Sequence, residues 1–457
     1  MFAISSGAKD TTNFRLNLQQ SNSFDKSSIT YHGLFYEYYF NTGKPETEKT
    51  VAVEPFYAVT PNIYTNEKEY YISLALKSKY DGEGIKKFGR SPLNCVIILD
   101  ISGSMNSPFY GRDDGEERSL SKLEVAKRTI LGLFSHFHDT DYFGLVLFDT
   151  SAYVAWPYTQ WGKIDKSKLE KKVKELRTKG GTNMEVGYNA GADMIRKYLK
   201  EEKDSERLKL CENRVMFLTD AHPNSGATSP QGLFSLTKKN ADDKIYSTFI
   251  GVGVDFNTGL IDTITNTKGA NYFAVHSSSE FKRRMETDFD YIVTTIAFDL
   301  KVKVDGAKIL GAYGSPDADP NKETTVTEMC SVMPSNIENN ETQGGIFLLK
   351  MDPSVADGIP VKITVSYQDR FGENHTDVHT TSFPELPDDQ STLFQDSSVR
   401  KAIFLVRYVD FLKEFTRNDE NLKKGKQLLD YLNKEIPEIG DDKLKREVEA
   451  LQKILDN

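Results

Sequence analysis

The feature that most constrains this chain is an alternation. Between Leu93 and about Thr295, five apolar runs, NCVIILD, YFGLVLFD, RVMFLTD, KIYSTFIGVG and NYFAV, are separated by longer amphipathic stretches, among them KLEVAKRTILGLFSHF, DKSKLEKKVKELR, MEVGYNAGADMIRKYLKEEK and SEFKRRMETDFDYIV. Strand-length runs with no polar face belong to strands covered on both sides, and parallel strands need connections long enough to hold a helix. The segment predicts a doubly wound α/β domain with a mostly parallel sheet, with Asp165 and Ser277 as candidate helix caps.

The flanks have a different texture. Ile29 to Tyr80 carries YHGLFYEYYF, VAVEPFYAV and EYYISLALKS between polar turns, which is strand and turn composition, and DGEGIKKFGRSP reads as a linker. After Ala297, DLKVKVDGAKILGAYG, GGIFLLKMDP and IPVKITVSYQDRFG return to alternation. The simplest architecture is one β-sandwich built from both flanks with the α/β domain inserted between them, so that the ends of the insert lie close together. From Ser397 onward the pattern is that of two or three amphipathic helices packed on the body. A chain of 457 residues exceeds what one core supports. The expected divisions are a polar leader at 1–28, a β-rich segment at 29–90, the α/β domain at 91–296, a β-rich domain at 297–390 and C-terminal helices at 396–457.

Composition narrows the function classes. A formal net charge of -9 without a basic face gives no reason to expect nucleic acid or an anionic membrane as partner. The first residues lack the apolar core of a secretory signal, and no run approaches 18 apolar residues. The expectation is a cytoplasmic protein without a membrane span. Cys95, Cys211 and Cys330 lie far apart and suggest free thiols rather than a disulfide framework, and the sequons at Asn340 and Asn374 carry no weight in such a protein.

The chemistry concentrates at NCVIILDISGSMNS. An apolar strand ends in Asp100, followed by Ser102 and Ser104, with Gly103 allowing a tight loop. Ligand sites in open parallel sheets form beyond the carboxyl ends of the strands. A carboxylate and two hydroxyls are hard oxygen donors suited to Mg²⁺ or Mn²⁺, and no thiolate or imidazole is present to favour zinc.

DISGSM followed by KLEVAKRTILGLF resembles the metal-binding opening of von Willebrand factor A domains, whose pattern is Asp-x-Ser-x-Ser. The resemblance covers roughly residues 93 to 295 and implies a Rossmann-like sheet and two further site residues, a Thr on a later loop and an Asp after a middle strand. Thr182 in TKGGTNMEVGYNAG and Asp220 in MFLTDAHPN occupy those positions. By resemblance, Ser102, Ser104 and Thr182 ligate the ion directly or through water, while Asp100 and Asp220 hold it directly or through its other ligands. The ion implied is Mg²⁺, with Mn²⁺ or Ca²⁺ as alternatives. The flanks and tail are more distantly similar to von Willebrand factor A proteins described as calcium-activated chloride-channel-like, but a chain without a membrane span gives no ground for a pore.

Other readings of these residues are weaker. A structural Asp at a strand end does not call for Thr182 and Asp220 in the right order. A dehalogenase-like phosphatase needs a second Asp where this chain has Ser102. Gly251-Val252-Gly253 lacks the third glycine of a dinucleotide fingerprint. His136 and His138 close a helix, and His375 and His379 lie on a strand about 13 Å apart, so neither pair makes a zinc site. Beside the motif, NSPFYGRDDGEERS carries Asp113, Asp114, Glu116 and Glu117, either a solvated insertion or a rim that selects partners.

The expected function is non-enzymatic: a divalent-metal-dependent protein-binding module, of adhesion or scaffold type, in which the ion coordinates an Asp or Glu carboxylate of a protein partner. The alternatives are a metal-assisted hydrolase, for which Glu185 is a weak candidate base, and a structural metal site with partners bound through the sandwich and tail.

Overall fold

A computed structural model describes residues 14–15, 18, 26, 29–43, 47–109, 120–220, 230–252, 267–275, 287–315, 318–321, 325–387 and 390–456. In chain order the main elements begin with α1 (Tyr31–Glu37), β1 (Ala52–Pro61) and β2 (Lys68–Lys77). The α/β region follows as β3 (Leu93–Asp100), α2 (Lys122–Leu133), β4 (Tyr142–Phe148), β5 (Ala152–Gln160), α3 (Lys166–Lys174), α4 (Met184–Glu201), β6 (Glu212–Thr219), α5 (Pro230–Asp242), β7 (Ile245–Val252) and β8 (Asn271–Val275). Then come β9 (Ala297–Asp305), β10 (Ile309–Tyr313), β11 (Thr327–Val332), β12 (Ile346–Met351), β13 (Val361–Asp369), β14 (Asn374–Thr381), β15 (Leu393–Phe394), α6 (Ser397–Glu414), α7 (Asp419–Ile439) and α8 (Lys445–Asp456).

Among the described residues, the central sheet has the order β5-β4-β3-β6-β7-β8. Its inner pairs are parallel, and β5 adds an antiparallel edge. Every residue of β3 and β6 is buried, as expected for strands covered on both faces. Two apolar clusters, one on each face, account for the covering: Leu99, Ile130 and Leu169 belong to one, and Ile98, Tyr188 and Phe249 to the other.

The two flanks form the sandwich expected from their texture. One sheet has the order β10-β12-β2-β1-β15 and the other β11-β9-β13-β14, all antiparallel. Their shared core joins Ile72 and Leu74 from before the α/β region to Leu300, Ile363 and Val365 from after it. The C-terminal helices cover the other face of the five-stranded sheet, where Tyr71 and Leu348 meet Phe404, Tyr408 and Leu432. None of the helices in the described residues is long and apolar enough to cross a membrane, and the three cysteines are free thiols.

Local readings need correction at several points. The aromatic stretch at 31–37 is helical rather than extended: Thr30 caps it by accepting the Gly33 N–H at 3.1 Å, and the turn buries Leu34 and Phe35 against the tail helices. The linker around DGEGIKKFGRSP contains a short helix, Gly84–Phe88. In the leader, Phe14 and Leu18 are buried in the tail cluster and Arg15 pairs with Glu37 at 2.6 Å and Glu447 at 2.5 Å, so this stretch contributes core residues. Asp165 caps α3 as expected, while Ser277 lies outside the described residues.

The α/β region is joined to the sandwich at the starts of its strands. Arg214 on β6 is fully buried and donates to Glu212, Thr248 and Thr295, while Arg370 stands 3.8 Å from Glu212. The Gly269 N–H bonds Ser331 Oγ, and Lys268 pairs with Asp299 at 2.8 Å. At the entry and exit of the region, Arg90 bonds Asp141 and Asp290, which draws the two ends together.

Candidate metal centre

The opposite ends of the same strands carry the site. Asp100, the last residue of β3, has no exposed surface. Its Oδ1 accepts the Ser102 N–H at 2.8 Å and its Oδ2 accepts the Thr219 hydroxyl at 2.7 Å. One carboxylate therefore fixes both the turn after β3 and the end of β6. The chain then winds into a tight 3-10 turn, Gly103–Asn106, that carries Ser104. Ser102 Oγ and Ser104 Oγ lie 3.0 Å apart, and the Ser104 hydroxyl donates to Asp220 Oδ1 at 3.0 Å. The other Asp220 oxygen accepts from Lys122 Nζ at 3.0 Å.

Thr182 is buried and precedes Asn183, the N-cap of α4. Its loop is tied to the serine turn by backbone bonds: the Gly103 N–H donates to Gly180 O at 3.2 Å and the Lys179 N–H to Ile101 O at 2.7 Å. Gly180 has φ +70°, and a Cβ there would lie 2.8 Å from Asp149 Oδ2, so only glycine allows this approach. Asp100, Ser102, Ser104 and Asp220 thus form one hydrogen-bonded row, with the Thr182 loop fastened to its turn. Glu185 lies in the first turn of α4. Asp113, Asp114, Glu116 and Glu117 lie outside the described residues.

Three participants escaped the sequence reading. Thr219 grips Asp100, Asp149 is buried just after β4 and its backbone carbonyl accepts the Asn183 N–H at 2.7 Å, which steadies the Thr182 loop, and Lys122 holds Asp220. Two of them left a trace in the sequence: Asp149 as the Asp that closes the apolar run YFGLVLFD, and Lys122 as a cation in the first turn of a helix, where an acid is favoured.

The row suits a hard cation. Burial pushes the Asp100 carboxyl up to about 6, and Asp220 adds to the rise while hydrogen bonds from Ser102 and Thr219 oppose it. The donors are carboxylate and hydroxyl oxygens, the class that Mg²⁺ and Mn²⁺ take.

A second cluster lies elsewhere. Asp369, Glu373 and His375, at the β13–β14 turn, bring potential ligand atoms within 4.8 Å of one another. There Asp369 accepts the N–H groups of Phe371 and Glu373 at 2.9 Å and bonds the His375 ring at 3.0 Å, which is how an Asp holds a tight turn.

The sequence profile of the von Willebrand factor type A domain matches residues 94–287. The chain is similar to the uncharacterized protein YfbK of Escherichia coli (strain K12), 23% identical over 213 residues, which cover 46% of this chain and 33% of that protein. It is also similar to inter-alpha-trypsin inhibitor heavy chain H3 of Homo sapiens, 26% identical over 175 residues, which cover 38% of this chain and 18% of that protein. The chain thus spans 33% and 18% of the length of these two relatives. Among solved structures, the ArnB paralog VWA2 from Sulfolobus acidocaldarius aligns over 89% of this chain and 97% of its own, with a TM-score of 0.41 and 14% identity. Residues 94–287, the segment that holds the six-stranded sheet and the oxygen row at its edge, are a von Willebrand factor type A domain.

Proposed function

We propose that this edge is a divalent-cation-dependent protein-binding site, with Asp100, Ser102, Ser104, Thr182 and Asp220 holding the cation and an Asp or Glu carboxylate of a protein partner completing its coordination. Von Willebrand factor A domains are in general protein-interaction and adhesion modules. The observation that carries the reading is the row of carboxylate and hydroxyl oxygens gathered from two strand ends and anchored by a buried carboxylate. Asp100 orients the row, since both its oxygens are engaged by Ser102 and Thr219. Ser102 and Ser104 present neutral hydroxyls, which bind a cation without cancelling its charge. The bound cation, Mg²⁺ or Mn²⁺, supplies the positive centre that a partner's carboxylate recognises.

A binding role fits better than hydrolysis. Among the described residues that meet at the edge none is a histidine, and Lys122 is committed to Asp220, so a hydrolase would have to rely on Glu185, in the first turn of α4, to activate water.

The test is a double variant, Ser102→Ala with Ser104→Ala, which removes two hydroxyl donors and leaves the Lys122–Asp220 pair in place. Calorimetry should show Mg²⁺ affinity falling at least about tenfold with the melting temperature of the metal-free protein nearly unchanged. A pull-down with and without EDTA, analysed by mass spectrometry, should lose its main captured protein in EDTA and with the double variant. Capture that ignores both would place partner binding on the sandwich or tail.

A further inference from the structure

Lys122 is placed where neither helix stability nor solvation favours it. It is the first residue of α2, directly after the Ser121 cap, and is 7% exposed. A cation in a first turn opposes the helix dipole, and a buried ammonium loses its hydration. Glu124, in the same turn, has the charge the dipole favours. What compensates Lys122 is Asp220, 3.0 Å away, whose side chain is itself 1% exposed.

We propose that Lys122 sets the charge of the cation site and thereby its selectivity for an anionic ligand; the inference rests on the proposed cation-dependent function. Two carboxylates, Asp100 and Asp220, cancel the charge of a divalent ion. With both neutralising it, the loaded edge would offer a water molecule and a carboxylate nearly equal terms. Lys122 engages Asp220 Oδ2 while Oδ1 faces the serine row, so one of the two negative charges is already matched. The loaded site then keeps a net positive charge in a largely dry environment, where charge complementarity is strong. The same arrangement weakens the hold on the cation, because Asp220 is shared. Lys122 thus exchanges some cation affinity for preference toward a partner's Asp or Glu side chain. The nearby buried carboxylate of Asp149 does not alter the count, since Lys179 stands 3.8 Å from it.

The experiment uses the full chain, Mn²⁺ as the cation and acetate as the carboxylate probe. Mn²⁺ binding is followed by the relaxation enhancement of water protons, and acetate by its displacement of the coordinated water. Lys122→Met should bind Mn²⁺ about tenfold more tightly yet need about tenfold more acetate for half-displacement. Lys122→Gln keeps a hydrogen-bond donor for Asp220 without the charge and should behave as Lys122→Met does, whereas Lys122→Arg should resemble the parent. The two neutral variants guard against a folding failure in either one. If both bind Mn²⁺ but respond to acetate at the parent's concentration, Lys122 only fastens α2 to β6 and the inference is overturned. If the parent binds no Mn²⁺ at one equivalent, the proposed cation site fails and this inference with it.

Discussion

Glu69 offers a direct test of how the tail helices are held to the sandwich. On β2, beneath α6, its carboxylate accepts from Lys350 at 2.6 Å, Arg407 at 2.8 Å, Asn62 at 2.8 Å and the Tyr71 hydroxyl at 2.9 Å. Burial pushes the carboxyl up, but the hydrogen bonds from Lys350, Arg407 and Asn62 more than reverse this and hold it down at about 2, against an ordinary value of 4.5. A displacement of that size favours the ionised form in the folded state by about 3 kcal/mol. Because the folded value is the lower one, this contribution is whole above pH 4.5 and is lost as the pH falls toward 2. Glu69→Gln keeps the shape and removes the charge, leaving Arg407 and Lys350 facing a neutral acceptor. Tryptophan fluorescence is a poor reporter here, since Trp156 and Trp161 both lie in the α/β domain. Hydrogen exchange of the α6 amides reads the node directly: at pH 7 they should open about a hundredfold more often in the variant. The difference from the parent, corrected for intrinsic exchange, should shrink to near zero as the pH approaches 2. Exchange within about threefold of the parent at pH 7, or a difference that persists in acid, would show that the charge at Glu69 contributes little.

Two further perturbations probe the α/β domain. A Cβ on Gly187 of α4 would meet the Phe148 Cβ at 2.9 Å and Cγ at 2.7 Å, so Gly187→Ala should lose about 1–2 kcal/mol net, the overpacking outweighing the gain in helix propensity; urea unfolding followed by Trp161 fluorescence would expose a neutral or stabilising effect. Residues 91–296 expressed alone should unfold cooperatively, because one of the two apolar clusters flanking the sheet lies wholly inside that range and the other reaches outside it, among its buried members, only at Met333; a product that binds a hydrophobic dye and lacks near-ultraviolet dichroism would refute this.

What the sequence disclosed follows from which physical signals are local. Strands β3 and β6 were legible because burial on both faces forces an apolar run, and Asp100 and Asp220 because each interrupts such a run where a parallel sheet ends. Strand β5 was missed. Its AYVAWPYTQ carries Pro157 and mostly part-exposed residues, an allowance that only an edge strand has and that no single sequence announces. Helix α1 was misread because aromatic residues suit strands and helices alike until a partner surface decides, and that surface, α6, lies more than 360 residues later. Lys122 was not singled out, since its burial depends on Asp220, 98 residues away.

The connectivity explains why the site can face outward. Inserting one domain into another between β2 and β9 fixes which edge of the insert is anchored: the chain enters at the start of β3 and leaves beyond β8, and the links to the sandwich, through Arg214, Glu212, Gly269 and Lys268, lie on the segments that begin strands. In a parallel sheet every strand that starts at the anchored edge must end at the other. Eight residues of β3, at about 3.3 Å each, carry the chain some 25 Å from that joint before Asp100 is reached. The same reasoning holds for Thr219 and Asp220 at the end of β6. The parallel arrangement that gathers the oxygens therefore also moves them away from the sandwich, and a partner can approach the edge without displacing the joint. An antiparallel sheet of the same size would bring half its strand ends back to the anchored side, where the sandwich would compete with any partner for the space.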